Sequence, residues 1–136
     1  MSRSMRRALA SRSIEATRAA IPRLYYRIVD DEPWPPPEAR ARAALWEAER
    51  RLARGEYAAA GAALEGVAAV ADPSTAAVVR GLRQLAAAGY RHRAGDPVRA
   101  HVHLERARAR LSPCLPVFEE VDLEALLRLV ADSLEP

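Results

Sequence analysis

A sequence of 136 residues has room for one domain, and a chain of this size buries roughly two-thirds of its unfolded surface, so it needs no disulfide or metal staple. Its net charge of +3 is uneven: residues 1–29 hold seven Arg against one acid, Glu15, and the remainder holds fourteen Arg against seventeen acids. A single cysteine, Cys114, excludes an internal disulfide, no apolar run approaches membrane-spanning length, and Arg residues break up the N-terminal stretch where a signal peptide would need an apolar core; a cytoplasmic protein is expected.

Half of the residues are apolar but only 5% are aromatic, which predicts a core of Ala, Leu and Val with closely spaced helices. All 21 basic residues are Arg, with neither Lys nor Asn anywhere. That pattern reads as a bias toward GC-rich codons and makes Arg a poor clue to phosphate binding.

In chain order, residues 1–32 form a basic arm. Met5, Leu9, Ile14 and Ile21 do not align on one helical face, and Pro22 interrupts any helix. The apolar cluster Leu24 to Val29 is expected to pack Tyr25, Ile28 and Val29 on the folded domain, with contact between the basic arm and nucleic acid as the alternative. Glu32 to Glu38 is a stiff proline-rich linker whose Trp34 is expected to fold back onto the domain it precedes. These features divide the chain into an arm and linker, residues 1–37, and a helical domain, residues 38–136.

Five helices are predicted in the second part. Glu38 to Arg54 carries the stripe Ala41, Leu45, Ala48 and Leu52, with Trp46 at its edge and a Glu47–Arg51 pair at i,i+4 spacing. Glu56 to Ala71 carries Tyr57, Ala60, Gly61, Leu64, Val67, Ala68 and Ala71 on one face. Asp72-Pro73 then opens a helix from Ser74 to Arg93 that Gly95 ends: Asp is a good N-cap, Pro suits the first helical position, and Gly supplies the left-handed residue past the end. No residue from Leu85 to Tyr90 is charged, so this helix is expected to be the innermost, with Gly81 and Gly89 admitting close neighbours.

Asp96-Pro97 repeats the cap signal for a helix to Leu111 with the stripe Ala100, Leu104, Ala107 and Leu111. Ser112 to Val121 reads as a loop in which Leu115, Val117 and Phe118 plug the end of the bundle. Asp122 caps a last helix to Leu134 that faces inward through Leu123, Leu126, Leu127 and Val130. Gly55-Glu56 and Gly95-Asp96, Ala60 and Ala100, Leu64 and Leu104, and Leu45 and Leu85 are each separated by forty positions. Such a period marks repeated helical hairpins, each too small to bury its own face. The fold class predicted is all-α, a single bundle of two antiparallel hairpins with tetratricopeptide-like packing and a C-terminal capping helix.

Residues from about Ala41 to Leu134 also resemble domain-of-unknown-function family three-hundred-and-nine, an uncharacterised bacterial and archaeal family of small helical bundles. Gly81 to Tyr90, Arg93 to Asp96, Ala100, Leu104 to Ala107 and Leu111 carry the resemblance, with Val121 to Leu123 and Leu126. The family's second helix bears Gly-x-Tyr, a His-Glu pair, Leu-Glu and a Trp. Gly55, Tyr57, Leu64 and Glu65 stand in place here, but Gly61 and Ala62 replace His-Glu, Ala68 replaces the Trp, and a second family His falls at Arg91, beside His92. The resemblance implies the fold and implies that any inherited active site is lost.

Little other chemistry is written in the chain. His101 and His103 point opposite ways on one helix and cannot share a metal, and His101 with Glu105 at i,i+4 spacing reads as a solvated contact. Cys114 between prolines reads as an inert thiol. No catalytic residue, metal or cofactor is expected. The candidate pocket comprises Tyr57, Gly61, Glu65, Tyr90 and His92. Tyr90 is expected inside, bonded to Glu65, and the pocket is expected to be collapsed, with a neighbouring helix close over Gly61 and with Ala62, Ala63 and Ala68 at its rim. The reading that follows is a non-catalytic module for an unidentified protein partner, as monomer or homodimer, without membrane contact and with nucleic acid disfavoured. The alternative is a metal-dependent or hydrolase-like enzyme with a degenerate site on Tyr57, Glu65, Tyr90 and His92.

Overall fold

The computed structural model describes residues 34–135; the expected packing of Tyr25, Ile28 and Val29 lies outside them. The chain divides after Pro36, and Pro37–Pro136 forms one unit. Five α-helices make up most of this unit: α1 (Pro37–Ala53), α2 (Tyr57–Ala63), α3 (Pro73–Arg93), α4 (Pro97–Leu111) and α5 (Leu123–Ser133). The fold is an all-α bundle of two antiparallel hairpins, α1–α2 and α3–α4, closed by α5.

Local chemistry places the boundaries. The carboxylates of Asp72, Asp96 and Asp122 each accept the backbone N–H three residues on, at 2.7, 3.1 and 2.9 Å, and so satisfy an amide the helix leaves free. Proline occupies the first position of α3 and α4. Bonding to the Thr75 amide and hydroxyl holds the Asp72 carboxyl below its ordinary range.

The repeat is exact enough to extend to single hydrogen bonds in the turns. Gly55 N–H donates to Leu52 and Glu56 N–H to Arg51, at 3.0 and 2.8 Å; forty positions on, Gly95 donates to His92 and Asp96 to Arg91 at the same two distances. Both glycines have positive φ, +75° and +87°, the left-handed residue of a Schellman end. His92 therefore takes the place that the fully buried Leu52 holds in the first hairpin.

The stripes predicted on α1, α4 and α5 are the buried ones, and α3 is innermost: Val78, Val79, Leu82, Leu85 and Ala88 are wholly buried. The two glycines of α3 allow that density. A methyl group at Gly81 would lie 2.5 Å from Leu111 Cδ2, and one at Gly89 would overlap the ring of Tyr57.

Three expectations need correction. The second helix does not run to Ala71. It ends at Ala63, Gly66 adopts φ +78°, and a short 3₁₀ turn (Ala68–Val70) follows. Gly66 breaks the ladder, while Leu64, Val67 and Ala68 still reach the core. Nor is Ser112 to Val121 a simple loop. After a 3₁₀ turn (Ser112–Cys114), strands β1 (Val117–Phe118) and β2 (Val121–Asp122) pair as a tight antiparallel hairpin. Its two turn residues, Glu119 and Glu120, have φ +48° and +67°. Finally, Leu115 and Val117 are exposed; Val121, Phe118 and Cys114 supply the apolar contact instead.

The hairpin is tied to α1. Trp46 Nε1 donates to the Glu119 carbonyl at 3.0 Å, Arg42 pairs with the Glu119 carboxylate at 3.3 Å, and the Asp122 amide donates to Glu49 at 3.4 Å. These contacts seat α5 against α1, α3 and α4.

Candidate functional site

The surface of interest is an open groove between α2 and α3. Tyr57 starts α2 two residues after Gly55, and its ring lies over the backbone at Gly89. On the same ring the Arg93 guanidinium stacks at 4.8 Å from the centroid, and Arg93 Nη1 donates to the Gly55 carbonyl at 2.6 Å. A cation over an aromatic face and a charge-assisted bond to the preceding turn together fix the entry of α2 onto α3.

Beyond Tyr57 small side chains make the floor of the groove. Ala58, Gly61 and Ala62 line the groove from α2, and Ala86 and Ala87 line it from α3. Tyr90, Arg83 and Glu65 stand along its sides. The structure thus brings Tyr57, Gly61, Glu65 and Tyr90 to one groove and leaves His92 out of it. His92 projects from another side of α3, where its Nδ1 is buried without a hydrogen-bond partner among the described residues.

Two expectations about these residues are overturned. Tyr90 is 53% exposed and Glu65 is exposed, so they form no internal tyrosine–carboxylate bond. α2 ends before Glu65, which removes that side chain from the helical face on which the spacing had placed it. The pocket is also not collapsed. Apart from its chain neighbours and its own helix backbone, no heavy atom among the described residues lies within 4 Å of where a side chain at Gly61 would begin. The close approach occurs at Gly89, where Tyr57 fills the gap between the helices, and Gly61 lies beyond that wedge. Of the expected rim, Ala62 lines the groove, whereas Ala68 packs against the core.

Because the space at Gly61 is open, the double substitution Gly61→His with Ala62→Glu is expected to leave stability within about 1 kcal/mol of the parent. Thermal denaturation checks this. A loss of about 1–3 kcal/mol, the usual cost of overpacking, would show that the groove closes in solution.

A second groove runs between α3 and α4, lined by Arg80, Arg83, Gln84, Ala87, His103 and Arg110. It shares Arg83 and Ala87 with the first. Among the described residues His103 bonds to Gln84, with Nδ1 2.7 Å from Oε1. Burial, then the charges of Arg106, Arg91 and Arg99, hold the imidazole below its ordinary pKa, with Asp96 acting weakly the other way. The lowered value fixes the sign of its pH effect. On acidification the unfolded chain takes up this proton first, so the stabilisation is present above about pH 6.5 and lost as the pH falls through the lower folded value. The drop in melting temperature between pH 7 and pH 5 is expected to be smaller in His103→Gln than in the parent; equal drops would exclude the imidazole as its source.

The other candidates stay apart. His101 is exposed, and Glu105 pairs instead with Arg108 at 3.6 Å. Cys114 is half-buried against the core. Among the described residues no three His, Cys, Asp or Glu side chains converge as a metal site would need. The α2–α3 groove offers apolar floor, two tyrosines, one carboxylate and one guanidinium, which suits binding of a ridge of small and medium side chains. Sequence reasoning missed Arg83, Ala86 and Ala87 as groove residues; spacing from Tyr90 along α3 was the available signal. No protein-family model, curated protein or solved structure matches the chain.

Proposed function

We propose that this chain is a non-catalytic helical interaction module whose α2–α3 groove receives an amphipathic segment of a partner protein. The observation that carries the reading is the open floor at Gly61, with Ala58, Ala62, Ala86 and Ala87 around it. Small residues let a partner backbone come close, and helix-in-groove recognition uses an apolar ridge of this kind. Kinship with domain-of-unknown-function family three-hundred-and-nine is part of the proposal and rests on Gly81 to Tyr90 and Leu104 to Ala107. A cytoplasmic setting is also part of it, supported by the lone Cys114; none of the described helices is long and apolar enough to cross a membrane.

The test is affinity capture from the native host with the full chain and with Gly61→Trp, which fills the groove. A partner retained by the parent is expected to be lost with the variant while the melting temperature holds. Retention of the same partner by both would sink the groove as the docking site. Stoichiometric metal removable only by chelators would favour the enzyme reading instead.

A further inference from the structure

The charges of the domain segregate by element. Residues 73–111, which contain α3 and α4, carry eight Arg and two carboxylates, Asp96 and Glu105, whereas residues 112–135 carry one Arg and six carboxylates. α3 has no acidic residue at all. On the outer face of the second hairpin, Arg80, Gln84, Ala87 and Arg91 recur at helical spacing on α3, and Arg99, His103, Arg106 and Arg110 do so on α4. Arg80, Arg83, Arg91, Arg106 and Arg110 form no ion pair with a described carboxylate. His103 stands among these groups, its imidazole held below its ordinary pKa first by burial and then by the charges of Arg106, Arg91 and Arg99.

This face is continuous with the apolar groove, because Arg83 and Ala87 line both. We infer that the segment received by the α2–α3 groove is an amphipathic helix with an acidic flank, its apolar ridge on Ala58, Gly61 and Ala87 and its carboxylates over Arg80, Arg83 and Arg110. The inference rests on the groove reading above and adds the partner's chemistry. Guanidinium groups match carboxylates in pairs of hydrogen bonds and raise the rate of encounter with an acidic chain. A single-stranded nucleic acid fits less well. It needs aromatic faces for its bases, and the ring of Tyr57 is covered by Gly89 and Arg93, which leaves Tyr90 as the open ring among the described residues lining the two grooves.

The test uses fluorescence anisotropy on the full chain with three labelled probes. One is a designed helix of about 20 residues, long enough to hold its fold, with a Leu/Ala ridge and Glu along one flank. The second is the same helix with Gln for Glu. The third is a short polyuridylate strand. The acidic helix is expected to bind at least about tenfold tighter than the neutral one and to weaken severalfold as salt rises from low to high ionic strength. Arg83→Glu with Arg110→Glu is expected to abolish the difference between the helices; both residues are exposed, and Arg83→Gln with Arg110→Gln serves if the reversal does not fold. Gly61→Trp is expected to weaken both helices. Equal binding of acidic and neutral helices, each blocked by Gly61→Trp, overturns the inference and leaves the groove reading standing. Binding of the acidic helix unaffected by Gly61→Trp, or no binding of either helix, overturns both. Polyuridylate bound more tightly than the acidic helix, and lost on charge reversal, makes the face a nucleic-acid site and overturns the inference.

Discussion

Leu85→Asp is expected to leave the chain without a cooperative thermal transition. Leu85 sits at the middle of α3 with no exposed surface, among Leu45, Leu82 and Leu104 of the same core. α3 borders every other helix of the bundle, so a fault at its centre cannot be confined to one hairpin. Among the described residues no cation is buried, and burying an unpaired charge costs many kcal/mol unless the group takes up a proton, which still leaves an unsatisfied polar group at a cost of several. A domain of about 100 residues has roughly 5–15 kcal/mol of stability in all. Circular dichroism on heating decides the matter: a variant melting at the parent's temperature would show that α3 is not the interior helix.

The second large effect is expected at Gly89. A β-carbon there would stand 2.5 Å from Cδ1 of Tyr57, well inside contact distance, and the ring cannot retreat because Arg93 covers it and anchors to Gly55. Alanine would gain about 1 kcal/mol of helix propensity over glycine. Against that, moving α2 away from α3 costs about 1–3 kcal/mol as overpacking and opens the contacts of Ala60 and Leu64 as well. Gly89→Ala is therefore expected to be destabilised by about 1–2 kcal/mol in chemical denaturation. Gly61→Ala supplies the control. With no neighbour in reach, only the propensity gain remains, so it is expected to be neutral or slightly stabilised. Equal responses at the two positions would mean that Tyr57 does not set the spacing of α2 and α3.

The contrast between these glycines shows where a sequence stops informing. Gly61, Gly81 and Gly89 all fall on predicted apolar faces, and periodicity alone assigns them one role. At Gly81 and Gly89 a side chain from another element occupies the space, Leu111 in one case and Tyr57 in the other. At Gly61 nothing does, because Tyr57 one turn earlier already bridges the helices. The occupant of a groove is decided by elements distant in sequence.

The β-hairpin was hidden for a related reason. Two-residue hairpin turns favour Asn-Gly or Asp-Gly, since both residues need positive φ. Here the turn is Glu119-Glu120, which carries no such signal, and the strands are two residues each. What holds the conformation is tertiary: Trp46 bonds the Glu119 carbonyl, Arg42 pairs with its carboxylate, and Val121 is driven into the core.

The amino-acid order by itself determined the helix boundaries at Asp72, Asp96 and Asp122, the Schellman turns at Gly55 and Gly95, the forty-residue repeat and the buried stripes of α1, α3, α4 and α5. All of these depend on interactions within a few residues or on a 3.6-residue period, which a linear chain displays directly. The tertiary structure alone decided that Tyr90 and Glu65 face solvent, that Gly61 opens onto a groove, that His92 stands outside it, and that the arginines of α3 and α4 merge into one basic face. Those properties depend on which helix lies across which, and the packing of Tyr57 against Gly89 and Arg93 fixes that arrangement for α2 and α3.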